Sequence, residues 1–160
     1  LTISHNKIYS DIVCELEDGK NVAMLTIGDP SVYSTYMYIH KRVMQAGFTA
    51  VMISGVPSFC AAAARLGTSL GVMMDEIHII PASYDVRDTV GYGGTCVYMK
   101  SGKKLAELIE VLRTGDAIRK KKMTVYGVTN CGMESERVYR GLDELTEAKG
   151  YLTIVIVKYS

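Results

Sequence analysis

The ten residues Ile27-Gly28-Asp29-Pro30-Ser31-Val32-Tyr33-Ser34-Thr35-Tyr36 constrain the fold of this chain most, because an apolar run enters them and a helical pattern leaves them. Residues 22–27 read VAMLTI, the kind of short apolar strand that a parallel sheet covered on both faces buries. Gly28 permits a sharp turn at the end of that strand, and Pro30 presets the backbone angle of a first helical turn. Asp29 then falls at the rim of the sheet, where open α/β folds take their ligands. Strand, Gly-Asp-Pro corner and helix together predict a small-molecule site.

A second corner follows in the same style. Residues 48–54 (FTAVMIS) predict another apolar strand, which runs through Gly55-Val56-Pro57-Ser58 into the small-residue helix FCAAAARL. In consecutive βαβ units right-handed crossovers keep the strands parallel, so both corners are expected at one edge of the sheet. Asp29 can accept hydrogen bonds from an ammonium or a ribose hydroxyl. Backbone amides near Val32 and Ser58 can hold a carboxylate or an adenine edge. The competing reading is a tight turn with a capping Asp, common turn chemistry in any fold. The residues alone leave both open.

Elsewhere the pattern alternates. Ile3, Ile8, Ile12, Val13 and Leu16 form a helical stripe, residues 18–21 break it, and residues 32–46 predict the next helix. A third strand is expected at 76–80. After Pro81 composition shifts to Ser, Asp, Arg and Gly, so 82–94 reads as a linker. Beyond it the spacing predicts strands at 95–99, 123–128 and 151–157, an amphipathic helix at 103–113 and partly helical structure at 134–145. The organisation expected is a partial amino-terminal α/β domain over 1–81, the linker, and a carboxy-terminal α/β domain over 95–160. Three strands are few for a doubly wound domain, and the sequence opens inside a helical pattern, so an amino-terminal portion is expected to be missing.

Composition excludes several partners. A net charge of +1 over 160 residues gives no broad basic footprint for nucleic acid or an anionic membrane. No apolar run reaches membrane-spanning length and no leader pattern opens the sequence, so the location expected is cytoplasmic. Cys14, Cys60, Cys96 and Cys131 lie far apart without a CxxC pair, and His5, His40 and His78 are equally scattered. Neither a disulfide scaffold nor a metal site is expected; the thiols are expected to be reduced and mostly buried. The run Arg119-Lys120-Lys121-Lys122 reads as a solvated loop.

The segments TIGDPSVYSTYMYI, ISGVPSFCAAAARLG and CVYMKSGKKLAELIEVL resemble the tetrapyrrole (corrin/porphyrin) methyltransferase family. The YSTY extension and its companion SFCAAAARL look most like its precorrin-2 C(20) branch, in cobalamin biosynthesis. The resemblance implies two α/β domains with S-adenosyl-L-methionine in the cleft between them, a homodimer, and a tetrapyrrole as substrate. It places cofactor contacts at Ile27, Gly28, Asp29 and Val32, at Pro57 and Ser58, at Met99, and at Asn130 or Cys131 beside Gly132. Tyr33 and Tyr36 begin the helix beside that site and are candidates for the substrate side, although aromatics on a helix face are more often core. Met99 by itself reads as a core gap-filler, and the resemblance alone makes it a contact. No catalytic dyad or triad is expected: holding an electron-rich meso carbon in line with the methyl group supplies much of the acceleration. The family's glycine-rich amino-terminal motif is absent, which leaves an inactive ligand-binding fragment as one alternative and methylation at another macrocycle carbon as a second. A dinucleotide module would show GxGxxG, and the sequence has none.

Overall fold

The computed structural model describes residues 2–118 and 122–159. Arg119, Lys120 and Lys121 of the basic run lie outside them. The chain divides into two compact units, Leu1–Pro57 and Ser58–Ser160. No helix among the described residues is long and apolar enough to cross a membrane.

The second unit carries a five-stranded mixed sheet. Its strands are β1 (Ile77–Pro81), β2 (Thr95–Met99), β3 (Met123–Thr129), β4 (Arg137–Arg140) and β5 (Thr153–Tyr159), in spatial order β1-β2-β5-β3-β4. β1 runs parallel to β2, and the other pairs are antiparallel. The runs TCVYM and TIVIV are buried at every position, because both faces of the central strands are covered. On one face α4 (Leu105–Ile118) presents Leu105, Leu108, Ile109 and Leu112, all buried. Each such side chain contributes roughly 1.5–3 kcal/mol of transfer free energy. α3 (Ser58–Leu66) packs on β5, with Phe59, Ala62, Ala63 and Leu66 inward. Its alanines let the helix approach the sheet closely.

One expectation for this unit is corrected and one is extended. Residues 82–94 are packed structure, with Ala82 and Val86 in the same core cluster as α4 and a 3-10 turn at Arg87–Gly91. β1 pairs with β2 across them, so the composition change after Pro81 marks a connection within one sheet. Residues 134–145 contain a strand as well as a short helix, α5 (Leu142–Leu145). Arg137, Val138, Tyr139 and Arg140 pair along β3, and that tertiary edge overrides local helical propensity.

The first unit holds α1 (Thr2–Glu17) and α2 (Tyr36–Gln45), which pack together. The Arg42 guanidinium lies 3.9 Å from the centre of the Tyr9 ring and donates to Asn6 Oδ1 at 3.0 Å. Residues 22–27 and 48–54 are here the largest departure from expectation, for neither forms a strand. Among the described residues no backbone-to-backbone hydrogen bond involves 22–27 or 49–54. Leu25 is 91% exposed, Ile27 79%, Val51 76% and Ile53 84%. The composition is that of buried strands, but among the described residues of this unit no strand pairs with them.

The thiols also differ from expectation. None of the four cysteines is in a disulfide, and only Cys96 is buried; Cys131 is half-buried, and Cys14 and Cys60 are exposed.

Candidate functional site

In the first unit the chain turns at Gly28, whose φ of 83° lies in the left-handed region that glycine adopts without a Cβ penalty. Asp29, buried, follows and spends both carboxylate oxygens within the unit. Oδ1 accepts from the Ser31 amide at 2.8 Å and the Ser31 hydroxyl at 2.5 Å, and Oδ2 accepts from the Gly55 amide at 2.9 Å. These donors, the Ser31 hydroxyl foremost, hold the Asp29 carboxyl below its ordinary range. Gly55 must be glycine, because a Cβ there would overlap the Gly28 carbonyl oxygen. The two corners are thus side by side, joined by a carboxylate in place of a β-ladder.

The remaining first-unit residues fall around this junction. Ile27 precedes the turn and is exposed. The Val32 amide donates to the Asp29 carbonyl at 3.2 Å, so that amide, expected to hold a ligand, closes the turn. Tyr33 is half exposed with φ 51°. Tyr36 opens α2, shares a hydrogen bond of 3.0 Å with His40 Nδ1, and lines a cavity of about 640 Å³ with Met24, Ile39, Ala50 and Met52. Pro57 closes the unit, half-buried.

In the second unit four expected residues lie at or just beyond ends of elements. Ser58 heads α3, and Met99, buried, ends β2. Asn130 and Cys131 follow β3, which runs in the same direction as β2 because both are antiparallel to β5 between them. Tyr98 stands opposite Val155 and Thr129 opposite Thr153, and the Asn130 amide donates to the Leu152 carbonyl at 2.9 Å. Met99 and Asn130 therefore lie at one edge of the sheet, two strand spacings across and two residues along, about 12 Å apart. The sheet order brings them together; nothing in the sequence places β5 between β2 and β3.

Sequence reasoning did not single out the pair behind that edge. Glu136 Oε2 accepts from the Gly132 amide at 2.8 Å, and Oε1 takes a hydrogen bond from Arg65 Nε on α3. The two residues are 71 positions apart, so no local motif signals them. The Gly132 amide first and Arg65 second keep the Glu136 carboxyl ionised below its usual range. Burial, then the Glu136 charge, pushes the Cys131 thiol up.

Chemically, the corner and the edge offer acceptors. The Gly28 carbonyl faces Gly55, and Asn130 donates through Nδ2 to Ser135 Oγ at 3.0 Å, leaving its Oδ1 as an acceptor.

Set beside known proteins, the fold has clear counterparts. The family model for Tetrapyrrole (Corrin/Porphyrin) Methylases matches residues 1–146, and the chain belongs to that family. It is 32% identical over 145 residues to a probable cobalt-precorrin-2 C(20)-methyltransferase of Methanocaldococcus jannaschii, an alignment covering 89% of this chain and 60% of that protein. The chain thus spans about three fifths of that relative's length. Among solved structures it resembles a cobalt precorrin-4 methyltransferase with a TM-score of 0.81 at 16% identity, over 96% of this chain and 70% of the other. A uroporphyrin-III C-methyltransferase from Thermus thermophilus, solved with S-adenyl homocysteine, gives a TM-score of 0.74 at 17% identity, over 96% of this chain and 72% of that one.

Proposed function

We propose that this chain is part of an S-adenosyl-L-methionine-dependent C-methyltransferase of cobalamin biosynthesis that methylates carbon 20 of precorrin-2 or cobalt-precorrin-2. The observation that carries the reading is the Gly28-Asp29-Pro30 corner tied to Gly55, lying in the extended YSTY sequence context. The likeness to a relative named for C(20) methylation supports it.

In this reading Ile27, Gly28, Asp29, Val32, Pro57, Ser58, Met99 and Asn130 or Cys131 contact the cofactor, and Tyr33 and Tyr36 serve the substrate. When bound, the cofactor supplies an electrophilic methyl group. Asp29 keeps the corner in shape through Ser31 and Gly55, leaving backbone carbonyls to receive the cofactor's donors. Met99 contributes a soft apolar contact from the strand end. Acceleration comes from orientation, with no obligatory protein base. A cytoplasmic homodimer is the assembly that goes with this reading.

The test is calorimetry with S-adenosyl-homocysteine followed by turnover with S-adenosyl-methionine and precorrin-2. Binding with transfer of one methyl group to carbon 20, located by NMR, is expected. Methylation at another carbon moves the chain to a sister activity, and binding without product makes it a ligand-binding fragment.

A further inference from the structure

The segment after β3 is shaped by hydrogen bonds and not by packing. Asn130 sits at φ 51°, a left-handed conformation that most side chains avoid, and a Cβ built at Gly132 would touch nothing within 4 Å. The Met133 amide donates to the Asn130 carbonyl at 3.0 Å, and the Glu136 amide donates to the Met133 carbonyl at 3.0 Å. The Glu136 carboxylate closes the loop from inside, accepting from the Gly132 amide, and its charge faces the Cys131 thiol. Its other partner is the α3 guanidinium of Arg65. The Glu136 side chain is only 16% exposed, whereas Arg65 is 57% exposed. An exposed ion pair by itself contributes little to stability. A carboxylate that fixes an amide of a loop otherwise open to solvent determines where that stretch of backbone points.

We propose that Glu136, with Arg65 acting through it, is a positioning residue that holds Asn130-Cys131-Gly132 in the conformation that receives the cofactor. The proposal rests on the reading that this segment contacts S-adenosyl-methionine. It adds two residues to that site, neither of which touches the cofactor. Glu136→Gln keeps the size but loses the charge that anchors Arg65 and faces Cys131. Arg65→Met removes the helix-side anchor alone.

The experiment measures S-adenosyl-homocysteine affinity by calorimetry for the wild-type chain, Glu136→Gln, Arg65→Met and the double variant. Alongside it runs the pH dependence of Cys131 alkylation by iodoacetamide, read by peptide mass spectrometry. A loss of affinity of about tenfold is expected for Glu136→Gln, and a smaller loss for Arg65→Met. The double variant should match Glu136→Gln, because Arg65 acts only through that carboxylate. Cys131 should alkylate faster in Glu136→Gln at about pH 8, since a nearby negative charge no longer opposes the thiolate. Bound S-adenosyl-homocysteine should protect it. A general loss of stability would not lower the alkylation pH midpoint of one cysteine. Wild-type affinity retained in Glu136→Gln overturns the proposal and leaves the cofactor reading standing. Wild-type chain that does not bind S-adenosyl-homocysteine overturns the cofactor reading, and this proposal with it. Should Glu136→Gln fail to fold, Arg65→Met decides, and unchanged affinity and alkylation there overturn the proposal.

Discussion

Asp29 and Gly55 stand 26 residues apart and are joined by one hydrogen bond of 2.9 Å from the Gly55 amide to Asp29 Oδ2. With Ser31 on the other oxygen, this carboxylate does the work that a strand ladder would otherwise do at the two corners. Asp29→Asn has one acceptor oxygen where two are used, and its amide group would face a donor. The substitution should lower the melting temperature, and the loss should depend on pH. The Asp29 carboxyl is depressed in the folded state, chiefly by the Ser31 hydroxyl and then by the Ser31 and Gly55 amides. Its stabilisation is therefore whole above the ordinary value of 3.8 and fades as pH falls below that through the depressed folded value. Melting of the wild type and Asp29→Asn between about pH 6 and pH 2.5 should show a constant gap that closes only at the acid end. A gap that widens on acidification would contradict the assignment.

Gly55→Ala tests the same junction sterically. The new methyl meets the Gly28 carbonyl oxygen, a backbone atom that cannot rotate away. Overpacking of this kind costs about 1–3 kcal/mol. Hydrogen exchange should accelerate in residues 28–36 while the sheet of the second unit stays as protected as before. Equal protection throughout the first unit would show that the corner tolerates separation.

Within the second unit, Thr89 and Tyr98 share a buried hydrogen bond of 2.9 Å, and the Thr89 hydroxyl also bonds the Val86 carbonyl at 2.5 Å. A carbonyl can only accept, so Thr89 donates to Val86 and Tyr98 donates to Thr89. Burial holds the Tyr98 hydroxyl well above its ordinary titration range, so it stays protonated as that donor. Tyr98→Phe removes one donor and should cost about 1 kcal/mol. Thr89→Val leaves the buried Tyr98 hydroxyl without its Thr89 acceptor, while the Val86 carbonyl keeps the Thr89 backbone amide at 3.0 Å, and should cost about 2 kcal/mol or more. Denaturant unfolding that ranks the two variants in the opposite order would refute this direction of donation.

The α4 face predicts a sharper contrast. Leu108→Ala and Leu112→Ala remove fully buried side chains and should each cost about 2–5 kcal/mol. Met73→Ala alters a residue that is 98% exposed and should stay within about 0.5 kcal/mol of wild type. Urea unfolding followed by circular dichroism measures all three.

Legibility followed the range of the interactions. β2 is readable to the residue, because TCVYM is rich in β-formers and flanked by glycine and lysine. The α4 stripe was equally plain, since helical spacing is a local property. The same reading assigned strands to 22–27 and 48–54, because apolar runs report a preference for burial and do not reveal whether a neighbour exists to bury them. β4 escaped because Val138 and Tyr139 gain strand geometry only from β3. At the candidate site the Gly28 and Gly55 corners were visible as turn chemistry. The use of Asp29 as a brace was not visible, because its partner lies in another segment, and the Arg65–Glu136 pair had no local trace at all.

The bare backbone of 22–27 and 49–54 also bears on how this polypeptide behaves in a test tube. Amides and carbonyls that have no backbone partner among the described residues, flanked by exposed Leu25 and Val51, are a template on which a neighbouring molecule can lay its own extended segment. Concentrated solutions should accordingly cloud with time, and lysine at either position should keep them clear.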